Sequence, residues 1–238
     1  MSDKTIHILL FTAGVDSYIA YYYLKYAKLI ESVPLYIDIQ SKYSKVEIDR
    51  IQRILPETVI VEETLNLSTL ELEDAFIPNR NALLLAVSSG KYYNYDNIYL
   101  YISNTVDDRI GDQSYDFFKS ISDSLSKSLN KNVTVTSSYW GTTFGKRDIV
   151  RWFIMNFPNK KQELLDNTFS CYNPKNGKHC LQCKACFRRN VALQDITILP
   201  FYNDDIIQHY LSEIEHGKIS GKRAENIKQY IEKLKQRS

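Results

Sequence analysis

The sequence predicts an α/β fold, a mostly parallel Rossmann-like sheet followed by a small C-terminal zinc-binding helical region. Three observations lead there. Short apolar runs alternate with helix-length amphipathic stretches up to residue 157, the pattern of parallel strands joined by crossover helices. A turn of small residues, Thr12-Ala13-Gly14, follows the first apolar run directly. All four cysteines lie between Cys171 and Cys186, where the alternation has ended.

Residues 6–11 read as a buried strand, and the residues after Ser17 read as a helix with Ile19, Ala20, Tyr23, Leu24 and Ala27 on one side. Residues 34–39 form the second strand. Residues 44–55 have helical spacing through Val46, Ile48, Ile51 and Leu55, and Pro56 stops the run. A third strand is expected over 58–61, and a helix rich in Ala and Leu over 79–87. The fourth strand is 97–103, followed by a helix at 114–129 with Phe117, Phe118, Ile121, Leu125 and Leu129 on one face. Residues 133–137 are β-branched and polar-bounded, a fifth strand, and 146–157 is the next helix. Two more helices are expected at 204–216 and 224–234. In such sheets ligands sit beyond the C-terminal strand ends, at the helix N-termini. Residues 12–17, 104–111 and 138–145 fall there.

Composition bounds the function classes. Hydrophobic residues make up 44% of 238, enough for a substantial core. Thirty Lys and Arg against 28 Asp and Glu leave a formal charge of +2, which neither demands nor excludes a nucleic-acid partner. The basic stretch 218–238 suits a solvated helix face better than an RNA footprint. No apolar run approaches the roughly 18 residues of a membrane span, and MSDKTIH leads directly into a strand, so no signal peptide is expected. The expected location is the reducing cytoplasm.

Cys171-x8-Cys180-x2-Cys183-x2-Cys186 has the spacing of a four-thiolate metal site. Tetrahedral Zn²⁺ takes such a set, and with four sulfurs bound it has no open position for activating water. An iron–sulfur cluster is the competing occupant. His179 is expected to be a bystander. The turn 12–17 has two readings. Its N–H groups and the helix N-terminus suit a phosphate, with Asp16 holding an intervening cation. The same residues also suit an ordinary helix with Asp16 as its cap.

FTAGVDS, residues 11–17, resembles the SGGxDS pyrophosphate loop of the N-type ATP pyrophosphatases. Together with the cysteine spacing it resembles the 7-cyano-7-deazaguanine (preQ0) synthase family, QueC-like enzymes within that group. IPNRNALLLAVSSG resembles the family's PxRNxxFL segment, GKRDIV its TKxEIV helix start, and CFRRNVAL the stretch closing its metal site. The likeness covers residues 6–195. It implies an adenine nucleotide alpha hydrolase-like fold, with an ATP-binding domain at 1–165 and a zinc-binding helical region at 166–238. It implies conversion of 7-carboxy-7-deazaguanine and ammonia to the nitrile through an acyl-adenylate and an amide, with ATP, Mg²⁺ and Zn²⁺.

The residues it points to are Asp16, Ser17, Arg80 and Lys146 for catalysis, with Leu10, Phe11, Thr12, Ala13, Gly14, Val15 and Asn81 joining Asp16, Ser17 and Arg80 around the nucleotide. Asp107, Asp108, Asp112 and Arg189 are the expected substrate residues. Cys171, Cys180, Cys183 and Cys186 are the metal ligands, and Arg147 joins Lys146 as a candidate for phosphate charge. A homodimer is the family's common state; membrane and nucleic acid are not required. Two departures bear on the substrate. Ala13 replaces a glycine, and Gln113-Ser114 stands where the family has Cys-Arg. Alternatives are therefore an enzyme that stops at the amide or activates another carboxylate, a tRNA-modifying relative, and a non-catalytic nucleotide-binding module.

Overall fold

The computed structural model describes residues 3–61, 65–72, 76–108 and 111–237. Five parallel strands form one sheet in the order β3-β2-β1-β4-β5. They are β1 (Thr5–Leu10), β2 (Val33–Ile37), β3 (Val59–Val61), β4 (Asn97–Ile102) and β5 (Asn132–Ser137). Ile8 of β1 pairs with Val33 on one side and Leu100 on the other. The chain works outward from β1 to β3, then returns to lay β4 against the free side of β1. That reversal opens a crevice beyond the C-terminal ends of β1 and β4.

The interleaved helices are α1 (Val15–Tyr22), α2 (Ser44–Ile54), α3 (Arg80–Lys91), α4 (Tyr115–Leu129) and α5 (Lys146–Asn156). The inner strands β1, β2 and β4 are covered on both faces, which is why they are near-continuous apolar runs; the edge strand β5 alternates, with Val133 and Val135 buried and Thr134 exposed. On one face Leu9 and Phe11 pack with Tyr18, Ile19, Val150 and Phe153. On the other Ile8, Leu100 and Val135 pack with Leu85, Phe118 and Leu125. Burial of side chains of this size contributes roughly 1.5–3 kcal/mol each.

Several boundaries differ from expectation for local reasons. α1 begins at Val15 because Gly14, extended at ψ 159°, is its N-cap and carries no side chain to bond the turn. Asp16 therefore lies inside the first turn and is not the cap. The helix ends in one π turn, Tyr23–Ala27. β2 stops at Ile37, where the Asp38 carboxylate accepts the Gln40 N–H (2.7 Å) and bends the chain out of the sheet. α3 starts at Arg80, after Asn79 turns left-handed at φ 58°.

The C-terminal part holds four helices: α6 (Lys161–Asn167), α7 (Lys184–Leu193), α8 (Asp204–Glu215) and α9 (Gly221–Lys235). Periodicity missed the first two. α6 has only seven residues, and seven of the ten in α7 are buried, so neither shows a clean polar face. Phe187, Tyr210, Tyr230 and Ile227 form the centre of this part. No described helix is long and apolar enough to cross a membrane.

Candidate functional site

The loop after β1 closes on itself through hydroxyls. Ser17 Oγ accepts the Thr12 N–H (3.2 Å) and donates to the Gly14 carbonyl (3.2 Å). A Cβ on Gly14 would sit 3.3 Å from Thr12 Oγ1, close enough that the hydroxyl would have to give way by a few tenths of an ångström. Ala13 stands at φ 53°, left-handed and fully buried. For an L-residue with a Cβ this costs about 1–2 kcal/mol, and its neighbours hold it: the Ala13 carbonyl accepts the Phe169 N–H at 2.8 Å. Loop and cysteine-bearing segment are thereby bonded backbone to backbone.

Asp16, in the first turn of α1, meets Lys146 from the first turn of α5. The Lys146 ammonium forms an ion pair with Asp16 and lies 3.2 Å from Asp108. Burial pushes the Asp16 carboxyl up against the pull of Lys146. Asp108 also resists burial, but Lys146 and the Thr105 N–H (2.9 Å) hold its carboxyl below the usual range. The two carboxylates in turn keep Lys146 protonated, well above an ordinary lysine, despite its burial. Tyr139 supports the loop by donating to the Asp16 carbonyl at 2.7 Å.

A cleft of about 300 Å³ opens over this group. Leu10, Thr12, Gly14, Val15, Asp16 and Ser17 line one wall, and Arg80 and Asn81 from the start of α3 face it. The Asn81 amide nitrogen is buried without a partner. Phe11 and Ala13 are fully buried beneath the loop and supply only its backbone. Asp107 turns away: its carboxylate caps α5 by accepting the Lys146 N–H at 2.7 Å. Of the turn Gly111–Gln113, Gln113 and not Asp112 is among the lining residues. Asp112 Oδ1 and Gln113 Oε1 are both buried without a partner. Ser114 caps α4 by accepting the Phe117 N–H.

Arg147 is not presented to the cleft. It forks onto Asp195 (2.7 and 2.5 Å) and bonds Asn226 and Gln229 of α9 (2.8 and 2.5 Å), clamping the start of α5 to the C-terminal helices. Arg189 donates to the Leu165 carbonyl (2.7 Å) while its Nε, buried without a partner, belongs to a side chain lining the cleft. Burial lowers its guanidinium to about 10.

Sequence reasoning missed two charged groups here. Arg188 lines the cleft and is held by Tyr172, whose hydroxyl accepts its N–H at 2.9 Å. It stands two residues beyond Cys186, a position that suggests only charge compensation for thiolates. Glu47 of α2 also lines the cleft, accepting the Tyr36 hydroxyl at 2.8 Å. Burial raises its carboxyl to about 7. Within α2 it reads as one more polar residue of an amphipathic helix, so nothing local distinguishes it.

The four thiols converge. Asn176 (φ 50°) and Gly177 (φ 70°) form a two-residue turn closed by the Lys175–Lys178 bridge, the geometry that Asn-Gly favours. That turn returns Cys180 to Cys171, whose sulfur accepts the Cys180 N–H at 3.3 Å. Cys183 caps α7 and Cys186 lies in its first turn. All four sulfurs lie within 4.8 Å of one another, and Cys180 and Cys186 are 3.9 Å apart. A tetrahedral ion with Zn–S near 2.3 Å separates its sulfurs by about 3.8 Å, so the spacing suits a single ion. A disulfide needs about 2.05 Å, and all four cysteines are free. His179 is outside the cluster; its Nε2 accepts the Ser170 N–H at 3.3 Å.

The model of a family described as "Queuosine biosynthesis protein QueC" matches residues 36–197. The match begins beyond the 12–17 loop and includes all four cysteines. A 7-cyano-7-deazaguanine synthase 1 of Desulfitobacterium hafniense (strain Y51) is 25% identical over 213 residues, 79% of this chain and 90% of that protein. The 7-cyano-7-deazaguanine synthase of Buchnera aphidicola subsp. Schizaphis graminum (strain Sg) is 30% identical over 121 residues, half of each chain. That of Methanococcus aeolicus is 26% identical over 137 residues, 56% of this chain and 58% of that protein.

Proposed function

The chain belongs to the queuosine biosynthesis protein QueC family, and from that membership we propose that it converts 7-carboxy-7-deazaguanine and ammonia to 7-cyano-7-deazaguanine at the expense of ATP. The observation that carries the reading is the meeting of Asp16, Lys146 and Asp108 beside the 12–17 loop. It provides cation and carboxylate charge next to a cradle of loop N–H groups and hydroxyls, the composition that phosphoryl chemistry needs.

In this reading the 12–17 loop receives the β- and γ-phosphates, with Arg80 and Asn81 on the opposite wall. The substrate carboxylate oxygen attacks the α-phosphorus, the bond to the bridging oxygen breaks, and pyrophosphate leaves. Lys146 stabilises the negative charge that develops on the departing group. Ammonia then displaces AMP from the acyl-adenylate, forming the amide and releasing a proton. A second activation at the amide oxygen, followed by loss of AMP and two protons, leaves the nitrile. Asp16 and Asp108 are the residues that would hold a Mg²⁺ arriving with the nucleotide; the ion supplies charge neutralisation. The thiolates Cys171, Cys180, Cys183 and Cys186 would hold one Zn²⁺, and their binding it would fix the start of α7 and so the positions of Arg188 and Arg189.

One observation favours a second product. Gln113 carries an unpartnered buried amide oxygen in the cleft, and Ser114 is occupied as a cap. With neither the Cys nor the Arg of the family's segment in place, an enzyme that stops at the amide is the second reading. Purified protein incubated with Mg-ATP, ammonium and 7-carboxy-7-deazaguanine decides between them. Expected are AMP, pyrophosphate and the nitrile by mass; the amide as sole product selects the second reading. No substrate-dependent AMP rejects both.

A further inference from the structure

A second cavity, of about 200 Å³, lies behind the charged cluster between α5, α7, α8 and α9. Its walls are the Phe187–Tyr210 stack (centroids 4.6 Å apart, 18° between planes) with Val191 and Ile227. Asp107 and Arg223 supply its polar side, where Arg223 donates to the Asp107 carbonyl at 2.8 Å. Asp108, Lys146 and Arg188 line both this cavity and the cleft. They form a charged partition with the pyrophosphate loop on one face and an aromatic-walled pocket on the other.

Arg188 is shared by the two spaces, so a carboxylate held by it from the second cavity borders the cleft in which the phosphates would lie. A cavity of roughly 150 Å³ holds a benzene ring; 200 Å³ accommodates a fused bicyclic one. Tyr210, Val191 and Ile227 give the cavity an apolar side, and the Asp107–Arg223 pair offers an acceptor and a donor to the edge of such a ring.

We propose that this second cavity binds the ring of the planar heteroaromatic acid, and that Arg188, shared by both cavities, positions its carboxylate at the α-phosphorus. The proposal rests on the carboxylate-activating function given above. Arg188 suits the role because Tyr172 fixes its guanidinium from the cleft side, with the ring centroid 5.7 Å away and the hydroxyl at 2.9 Å. It acts as a positioning residue that orients the nucleophile before the bond forms.

Val191 lines the second cavity only, so Val191→Phe fills it without touching the cleft. Steady-state AMP release with 7-carboxy-7-deazaguanine is compared between wild type and variant, and binding of Mg²⁺ with α,β-methylene-ATP is measured by calorimetry. The expected result is a KM for the acid raised tenfold or more with nucleotide affinity unchanged. Arg223→Ala, at a half-exposed position, should raise the same KM about fivefold and gives the decision if Val191→Phe fails to fold. Arg188→Lys, which keeps the charge but not the fork, should lower kcat more than it changes nucleotide affinity. An active wild type whose KM for the acid is unmoved by both Val191→Phe and Arg223→Ala overturns the pocket assignment and leaves the function standing. A wild type that forms no AMP with this acid overturns the function, and the pocket assignment falls with it.

Discussion

Removing Asp195 tests how the C-terminal helices fix the start of α5. Asp195 accepts two bonds from Arg147 (2.7 and 2.5 Å) and one from Arg151 (2.6 Å). The Arg147 side chain is 6% exposed and that of Asp195 is 19% exposed. Burial works against the Asp195 carboxylate, but the two guanidinium groups outweigh it and hold the carboxyl down to about 2, from 3.8. At about 1.4 kcal/mol per tenfold change in acidity, that drop corresponds to about 2.4 kcal/mol. Solvent screening at the Arg151 side reduces it to between about 1 and 2 kcal/mol. Asp195→Ala also strands a buried guanidinium, for which a fully buried pair costs about 3–5 kcal/mol; the remaining bonds to Asn226 and Gln229 moderate this.

The expected loss at pH 7 is therefore about 2–3 kcal/mol, a fall in melting temperature of about 5–10 °C for a chain of this size. The folded-state carboxyl is depressed, so its contribution is complete above the unfolded value of 3.8 and disappears as pH falls toward about 2. Urea unfolding of wild type and Asp195→Ala should give a difference that is constant down to about pH 4 and shrinks below it. A difference under about 1 kcal/mol at pH 7, or one independent of pH between 4 and 2, refutes the reasoning.

Lys146→Met removes the ammonium between Asp16 and Asp108; AMP formation should fall about 10²–10³-fold. The Asp16 carboxyl, already raised by burial, then rises further and that of Asp108 loses the cation that holds it down, so the variant should lose stability relative to wild type as pH increases from 4 to 7, read by thermal melts. Glu47→Gln has the opposite consequence. The folded carboxyl is raised from 4.5 to about 7, a penalty of about 3 kcal/mol that burial short of complete reduces to about 2. The variant should be the more stable protein at pH 8, with the advantage fading as pH falls from about 7 toward 4.5. Ala13→Gly trades relief of a φ of 53° against a lost buried methyl and a freer unfolded chain. These nearly cancel, so its stability should stay within about 1 kcal/mol of wild type, whereas a β-branched Ala13→Val should lose more than about 2 kcal/mol, as measured in urea. Cys180→Ser should reduce zinc, measured by elemental analysis, to well below one ion per chain and lower the melting temperature, and chelation of the wild type should reproduce both effects.

Local chemistry determined much of this protein in advance. Alternation of apolar runs and amphipathic stretches is enough for a parallel sheet, because strands buried on both faces leave no other pattern. Four cysteines within sixteen residues announce a cluster of sulfurs that could hold a metal ion, since the loops between them are too short to take the sulfurs far apart. The small residues of 12–14 and the Asp16-Ser17 pair marked the loop for the same reason: its geometry is made by neighbours in the chain.

What sequence left open was settled by contacts between distant segments. Whether Asp16 caps a helix or faces a cleft depends on Lys146, 130 residues away, and on Gly14 taking the cap position. Lys146 and Arg147 are adjacent cations in the chain, yet α5 turns one to the loop and the other to Asp195 and α9. Asp107 and Asp108 separate in the same way, one capping α5 and one pairing with Lys146. Arg188 carried no signal beyond its nearness to Cys186, because its setting is assembled from α5, α7 and the partition between two cavities. Periodicity reports which face of an element is buried. It does not report which polar side chain, among neighbours on a helix start, will point at a group brought there by another part of the chain.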